Sequence, residues 1–484
     1  MGNLAASLSG IALFAVPGMA LTGFFPSLRA VPWTRRAGYG YPLGVAAVAG
    51  SLYMLSALLS VPIRRPAVFG VAAALTAAGL VKVWFVRRAP ARRARQARRA
   101  GMRPAVLLAV LIGAAVSAGL LAEAVSEPLR DWDGRMHWSA QARYIRYEGT
   151  VFPLAVTRGQ WFINHPRYPV LMPVSQVAVL EATGAEQDEF PFRAVYAAFF
   201  PALLMLLYDG ARRWTGWLPA AVTVIAACGL RFLTYYADGG AMSSYSDLPL
   251  GCFFGAGLLL LLRSKVTGAD GVAAGLFLGA AVLTKNEGTI LAGAALLAAA
   301  LPLLRLWKEI RHVPRRRLLL KGARLCSAAA VFLAVLAFFV YWRTGIPNRQ
   351  DENYEEHVQL VSLLPEAVTR LPSFAGEILA STFLTWDHWT GFWWVYAAVL
   401  IAGIGVLRRR RAAVTRPLAL AALMPLCVGW GAYSVNEGPE WLIKVTWERF
   451  LVQGTVPLLL LFAFAVAGLL RRSPVALKLA RLSQ

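Results

Sequence analysis

The stretch Arg87-Arg88-Ala89-Pro90-Ala91-Arg92-Arg93-Ala94-Arg95-Gln96-Ala97-Arg98-Arg99-Ala100-Gly101-Met102-Arg103 lies between two apolar runs, at about 67–86 and 104–124. Each run has roughly the 20 residues that cross a ~30 Å hydrocarbon core. The link between them holds eight arginines and no acid. Moving such charge across a bilayer is costly, so the link is expected to stay cytoplasmic.

Further apolar runs stand at about 5–24, 42–62, 192–208, 217–237, 248–263, 270–286, 288–304, 325–343, 390–407, 417–434 and 450–470. With the first two they predict an all-α integral membrane protein of about thirteen transmembrane helices. Alternating sides from 87–103 makes 26–40, 209–216, 263–270, 305–324, 408–416 and the C-terminal tail cytoplasmic too. These segments carry 32 of the 49 Lys and Arg residues but only three of the 25 acids, Asp209, Asp270 and Glu309. The acids were not used to set the orientation, so their separation is an independent check on it. The expected topology is N-terminus out, C-terminus in, with long external segments near 125–190 and 344–389.

Composition supports this class. The chain is 58% hydrophobic and 15% charged, against about 25% charged in an average soluble domain. A net charge of +24 would suit a nucleic-acid binder, but the basic residues sit in short clusters between apolar runs, and no nucleic-acid partner is expected. Cys228, Cys252, Cys326 and Cys427 fall inside apolar runs without metal-ligand spacing. The opening stretch lacks a basic leader region and reads as the first membrane helix, broken at Pro17.

Candidate chemistry lies on the external side. Asp131-Trp132-Asp133-Gly134-Arg135-Met136-His137-Trp138 follows the fourth run and leads into Ala142-Arg143-Tyr144. A carboxylate at a protein–membrane boundary can take a proton from an attacking hydroxyl; the same stretch also suits an aromatic belt that anchors an interfacial helix. Asn164-His165-Pro166-Arg167-Tyr168-Pro169, with Pro173 beyond, reads as a rigid turn. Tyr245-Ser246-Asp247-Leu248-Pro249 puts an acid where the seventh run begins, as a functional group or a helix cap. Lys285 and Glu287, in Thr284-Lys285-Asn286-Glu287-Gly288, would each cost about 2.5–3.5 kcal/mol at mid-membrane depth, so they are expected to line a polar cavity or pair with each other. Arg449, in Trp447-Glu448-Arg449-Phe450, can grip a phosphate or snorkel to the interface, and Lys444 is a further cation. His357 in an acidic run and His388 beside Asp387 carry little signal alone.

With these marks in this order, the chain over about 104–470 resembles the GT-C superfamily of polytopic glycosyltransferases, on the side of the protein O-mannosyltransferases and lipid A aminoarabinose transferases. The resemblance divides the chain into a three-span N-terminal extension, 1–103, and a catalytic core, 104–484. It implies a plasma (inner) membrane enzyme that moves a sugar from a polyprenyl-phosphate donor to an acceptor hydroxyl on the non-cytoplasmic side. Asp133, or else Asp131, would be the catalytic carboxylate. Lys285, Arg449 and Lys444 would hold the donor phosphate, and His137, His165, Tyr168, Asp247 and Glu287 would line the substrate site. No cofactor is demanded; Asp131, Asp133 and Asp247 leave room for a divalent metal that the motifs do not require. The acceptor is open, a lipid, glycan or protein. A transporter or flippase of lipid-linked saccharides would use the same external cations, as would a surface-polysaccharide polymerase or ligase.

The expected sidedness is testable by labelling. In a cysteine-free background, a cysteine placed in 344–389 should react with a membrane-impermeant thiol reagent in intact cells. One placed in 87–103 should react only after lysis, and the opposite pattern would invert the topology.

Overall fold

The computed structural model describes residues 2–87, 103–158, 165–185, 190–234, 239–263, 267–308, 315–347, 376–380, 392–409, 412–434 and 439–472. Among them every regular element is helical and no strand occurs. His357, its acidic neighbours, His388 and most of the external segment near 344–389 lie outside the described residues.

Seven helices are long and apolar enough to cross a membrane: Asn3–Phe24, Trp33–Leu59, Arg65–Phe85, Pro104–Ser126, Phe190–Thr215, Leu319–Thr344 and Val414–Gly431. An eighth arises if Thr446–Gln453 and Thr455–Leu470, bent by 65° across Gly454, count as one. The other apolar runs from which thirteen spans are expected form shorter helices, Trp217–Gly229, Asp247–Leu262, Gly268–Thr284, Glu287–Leu303 and Trp393–Ala402. A 17-residue helix rises only about 25 Å, less than a bilayer core, so length alone does not make these spans.

The packing is that of a protein in an apolar solvent. Leu107, Leu108, Val110 and Leu111 point outward from the Pro104–Ser126 helix, as do Leu80, Val81, Trp84 and Phe85 from Arg65–Arg87. Soluble proteins seldom present such continuous apolar faces to water. Small residues let backbones meet: a Cβ on Gly44 would lie 1.8 Å from the Phe14 carbonyl oxygen. Glycine there allows the Gly2–Leu21 and Trp33–Leu59 helices to touch along their length.

The Asp247–Leu262 helix is the centre of the bundle. Every residue from Asp247 to Leu261 is buried, and its two ends carry charge. At the C-terminal end, Arg263 donates from Nη2 to Asp209 Oδ2 at 2.7 Å and to the Tyr39 hydroxyl at 2.8 Å. Arg35 completes the group through Asp209 Oδ1 at 2.9 Å. Arg263 Nη1 also reaches the Ser27 carbonyl at 3.2 Å, while the Ser27 N–H donates to Asp270 at 2.9 Å. Asp270 in turn caps its own helix with Thr267. Two of the three acids assigned to the cytoplasmic side, Asp209 and Asp270, thus dock the first helices onto the rest of the bundle.

The 125–190 segment, expected to be external, is more deeply packed than a surface loop. It holds a short helix, Ser139–Glu148, and then Leu171–Thr183, whose residues from Leu171 to Leu180 are all buried. Pro173 sits in the first turn of that second helix, where its missing N–H costs nothing. The prolines therefore rule out helix only in the turn before it.

Asp209→Ala would leave Arg263 buried without its carboxylate. Breaking such a pair costs about 3–5 kcal/mol, so the melting temperature in detergent should fall sharply. Adding Arg263→Met should cost far less than the sum of the two single losses, and full additivity would show that the pair is not coupled.

Candidate functional site

A second ionic group lies at the other end of the same helix. Asp247 is its first residue and has no exposed side-chain surface. An acid suits this place, because the unpaired N–H groups of a helix N-terminus favour negative charge. Its Oδ1 accepts from Lys285 Nζ at 2.8 Å and from Gln453 Nε2 at 2.7 Å, and its Oδ2 accepts from Arg449 Nε at 3.1 Å. Lys285 also meets Glu287 Oε1 at 3.0 Å.

Arg449 carries the group outward. Its Nη1 donates to Asp133 Oδ2 at 2.8 Å, across 316 residues of sequence. The guanidinium also lies 4.7 Å from the Tyr245 ring centroid, a favourable cation–π placement. The Tyr245 hydroxyl accepts the Asp133 N–H at 3.1 Å, so one tyrosine orients both partners. Asp133 lies at the head of a π-helical turn, Gly134–Trp138, a form that often re-aims side chains at functional sites. The turn presses on the 239–246 loop: a Cβ on Gly134 would lie 2.4 Å from the Ser243 carbonyl oxygen.

Exposure grades the five charges. The Asp133 side chain is 35% exposed, Arg449 14% and Asp247 0%. Three acids face two cations, so the ionised group carries a net charge of −1. Asp133 is the acid open to a ligand. Asp247, expected to contact substrate, is instead closed in and holds Lys285 and Arg449 in place. Lys285 and Arg449, expected to grip phosphate, are already committed to carboxylates. Asp131 is half-buried and opens the turn, its carbonyl accepting the Arg135 N–H at 3.0 Å. Lys444 falls in the Pro439–Gln453 helix, but its side chain is outside the described ones.

His137, His165 and Tyr168 form a neighbouring aromatic cluster. The His137 ring lies 5.5 Å from Tyr168 and 6.0 Å from His165, and Trp138 closes on Tyr168 at 6.0 Å. His165 has a left-handed backbone, φ 61°, an uncommon state for a residue with a side chain. His137 is four residues from Asp133, so the cluster and the ionic group share one turn. Among the described residues no group of three or more His, Cys, Asp or Glu could hold a metal ion.

No protein-family model matches the chain, and no curated protein or solved structure does either.

Sequence reasoning missed Gln453 as a site residue and passed over Tyr245 as one, although its motif was in view. Gln453 sits four residues after Arg449, one turn along the same helix face. That spacing was the available signal, hidden because Gln453 lies inside an apolar run. Arg449→Ala should destabilise the protein by about 3–5 kcal/mol, since it leaves buried Asp247 short of a partner. Gly134→Ala should also cost about 1–3 kcal/mol by overpacking, and an unchanged melting temperature would mean that the turn does not press on 239–246.

Proposed function

We propose that this protein is a membrane glycosyltransferase of GT-C type that takes a sugar from a polyprenyl-phosphate donor at the non-cytoplasmic face. The observation that carries the reading is the Asp133–Arg449–Asp247–Lys285 chain of contacts. It joins four segments that the charge distribution independently assigns to the external side. Within this reading the five shorter apolar helices also cross the membrane, which gives the expected thirteen spans.

The reaction is one displacement. The acceptor oxygen bonds to the sugar's anomeric carbon as the carbon–oxygen bond to phosphate breaks, the lipid phosphate leaves, and the hydroxyl proton passes to Asp133. General-base help of this kind contributes typically 10²–10⁴-fold. Arg449, held by Asp247 and Tyr245, sets the orientation of Asp133. The half-buried rim of the aromatic cluster, His165 and Tyr168, supplies flat apolar faces for a sugar ring, with buried His137 beside them.

A transporter would need the same lipid and the same cations, but no partly exposed carboxylate fixed by an arginine. Purified protein should release polyprenyl phosphate from a lipid-phosphate sugar only when an acceptor is present. Asp133→Asn should lower that rate by about 10²–10⁴-fold, with a much smaller loss for Asp131→Asn. Movement of the intact donor across a vesicle bilayer, without bond cleavage, would exclude the enzyme.

A further inference from the structure

A groove of about 390 Å³ opens beside the ionic group, and neither Lys285 nor Arg449 is among the described residues that line it. Its walls differ in chemistry. Arg167, Arg343 and Asn286 supply the polar wall, and Leu336, Phe339 and Val340 the apolar one. Ligand sites commonly have volumes of about 300–1,000 Å³.

Three segments meet here. Arg167 belongs to the turn that carries His165 and Tyr168, and its Nε donates to the Ile346 carbonyl at 3.1 Å. That bond ties the turn to the chain just past Arg343 and sets the direction of the guanidinium. Arg343 lies in the last turn of the Arg315–Thr344 helix. Leu336, Phe339, Val340 and Arg343 are spaced three and four apart on that helix, so an apolar stripe ends in a cation. Asn286 stands between Lys285 and Glu287 in sequence and joins the groove to the Asp247 group.

Electrostatics separates the groove from the ionic group. Lys285 and Arg449 face three acids, so that group repels a further anion. Arg167 and Arg343 both line the groove, and guanidinium matches phosphate oxygens with paired N–H donors. The stripe that leads away from them runs along a helix whose Leu333 and Val340 are exposed to the surroundings. An apolar chain with an anionic head fits this gradient, and a free anion or a neutral lipid fits only half of it.

We infer that the Arg167–Arg343 groove holds the phosphate of an isoprenoid phosphate, with the first part of its chain along Leu336, Phe339 and Val340. This rests on the transferase reading for its donor class. It moves the recognition of the phosphate in the resting complex from Lys285 and Arg449 to a pair that the motifs did not single out. Arg167 shares a turn with His165 and Tyr168, and their partner His137 stands four residues from Asp133, so the sugar is assigned to the aromatic cluster.

The test is binding of farnesyl phosphate to the purified full chain in nanodiscs, with farnesol and inorganic phosphate as separate probes. Neither sugar nor acceptor is present, so the result does not depend on transferase activity. Farnesyl phosphate should bind, with farnesol and inorganic phosphate each at least about tenfold weaker, because each lacks one half of the recognition. Arg343→Gln and Arg167→Gln should each weaken farnesyl phosphate about tenfold or more, while binding of farnesol stays the same. If Arg167→Gln fails to fold, Arg343→Gln with an unchanged melting temperature carries the test. Equal binding of farnesol would overturn the inference, as would full competition by inorganic phosphate or undiminished binding by the folded arginine variants. Sugar transfer with an unchanged KM in those variants would also overturn it, and would leave the transferase reading standing.

Discussion

The carboxylate of Asp247 is removed from water at the start of a helix buried from Asp247 to Leu261, and much of the bundle is arranged to make that tolerable. A lone buried charge is among the costliest features a protein can carry. Asp247 is satisfied by Lys285 and Gln453 on one oxygen and Arg449 on the other, three groups from two other helical regions. Sixteen residues later Arg263 presents the mirror problem and is answered by Asp209 and Tyr39. The two groups are separated by a helix rising about 24 Å. Their partners therefore fix helix register at both ends, as buried polar contacts can in an otherwise uniform apolar bundle.

In the proposed reaction this division of labour leaves the base to the more exposed acid. Asp247 spends its hydrogen-bonding capacity on neighbours. Asp133, at the partly exposed end of the chain of contacts, is aimed by Arg449 and Tyr245 and remains reachable. Loss of Asp247 would act on Asp133 through Arg449, which makes Asp247 a positioning residue. For the proposed phosphate, the acid-rich group is a poor partner, and the groove lined by Arg167, Arg343 and Asn286 is the better electrostatic match.

Much of this was legible because charge is scarce in an apolar chain. Asp133, Asp247, Lys285, Glu287 and Arg449 stand out against 58% hydrophobic sequence, and the structure brings all five together. What escaped notice did so for physical reasons. Gln453 lies within an apolar run, where hydropathy averages it away. Asp209 and Arg263 read as loop charges because the runs beside them end there, although both fold inward. The Leu171–Thr183 helix falls in a segment too short to stand out as a span, yet it is buried by neighbours from the first helices. Span counting likewise treats every apolar run alike, whereas the folded helices differ in length because buried pairs end some of them early.

The proposed site depends on Asp133 and Arg449 meeting, a contact that ties the 125–190 segment to the final helices. Cysteines at both positions, treated in native membranes with a short bifunctional thiol reagent, test it directly. The account predicts an intramolecular link that holds the two halves together after proteolysis between them. Cysteines that each react singly from the outside but never link would contradict it.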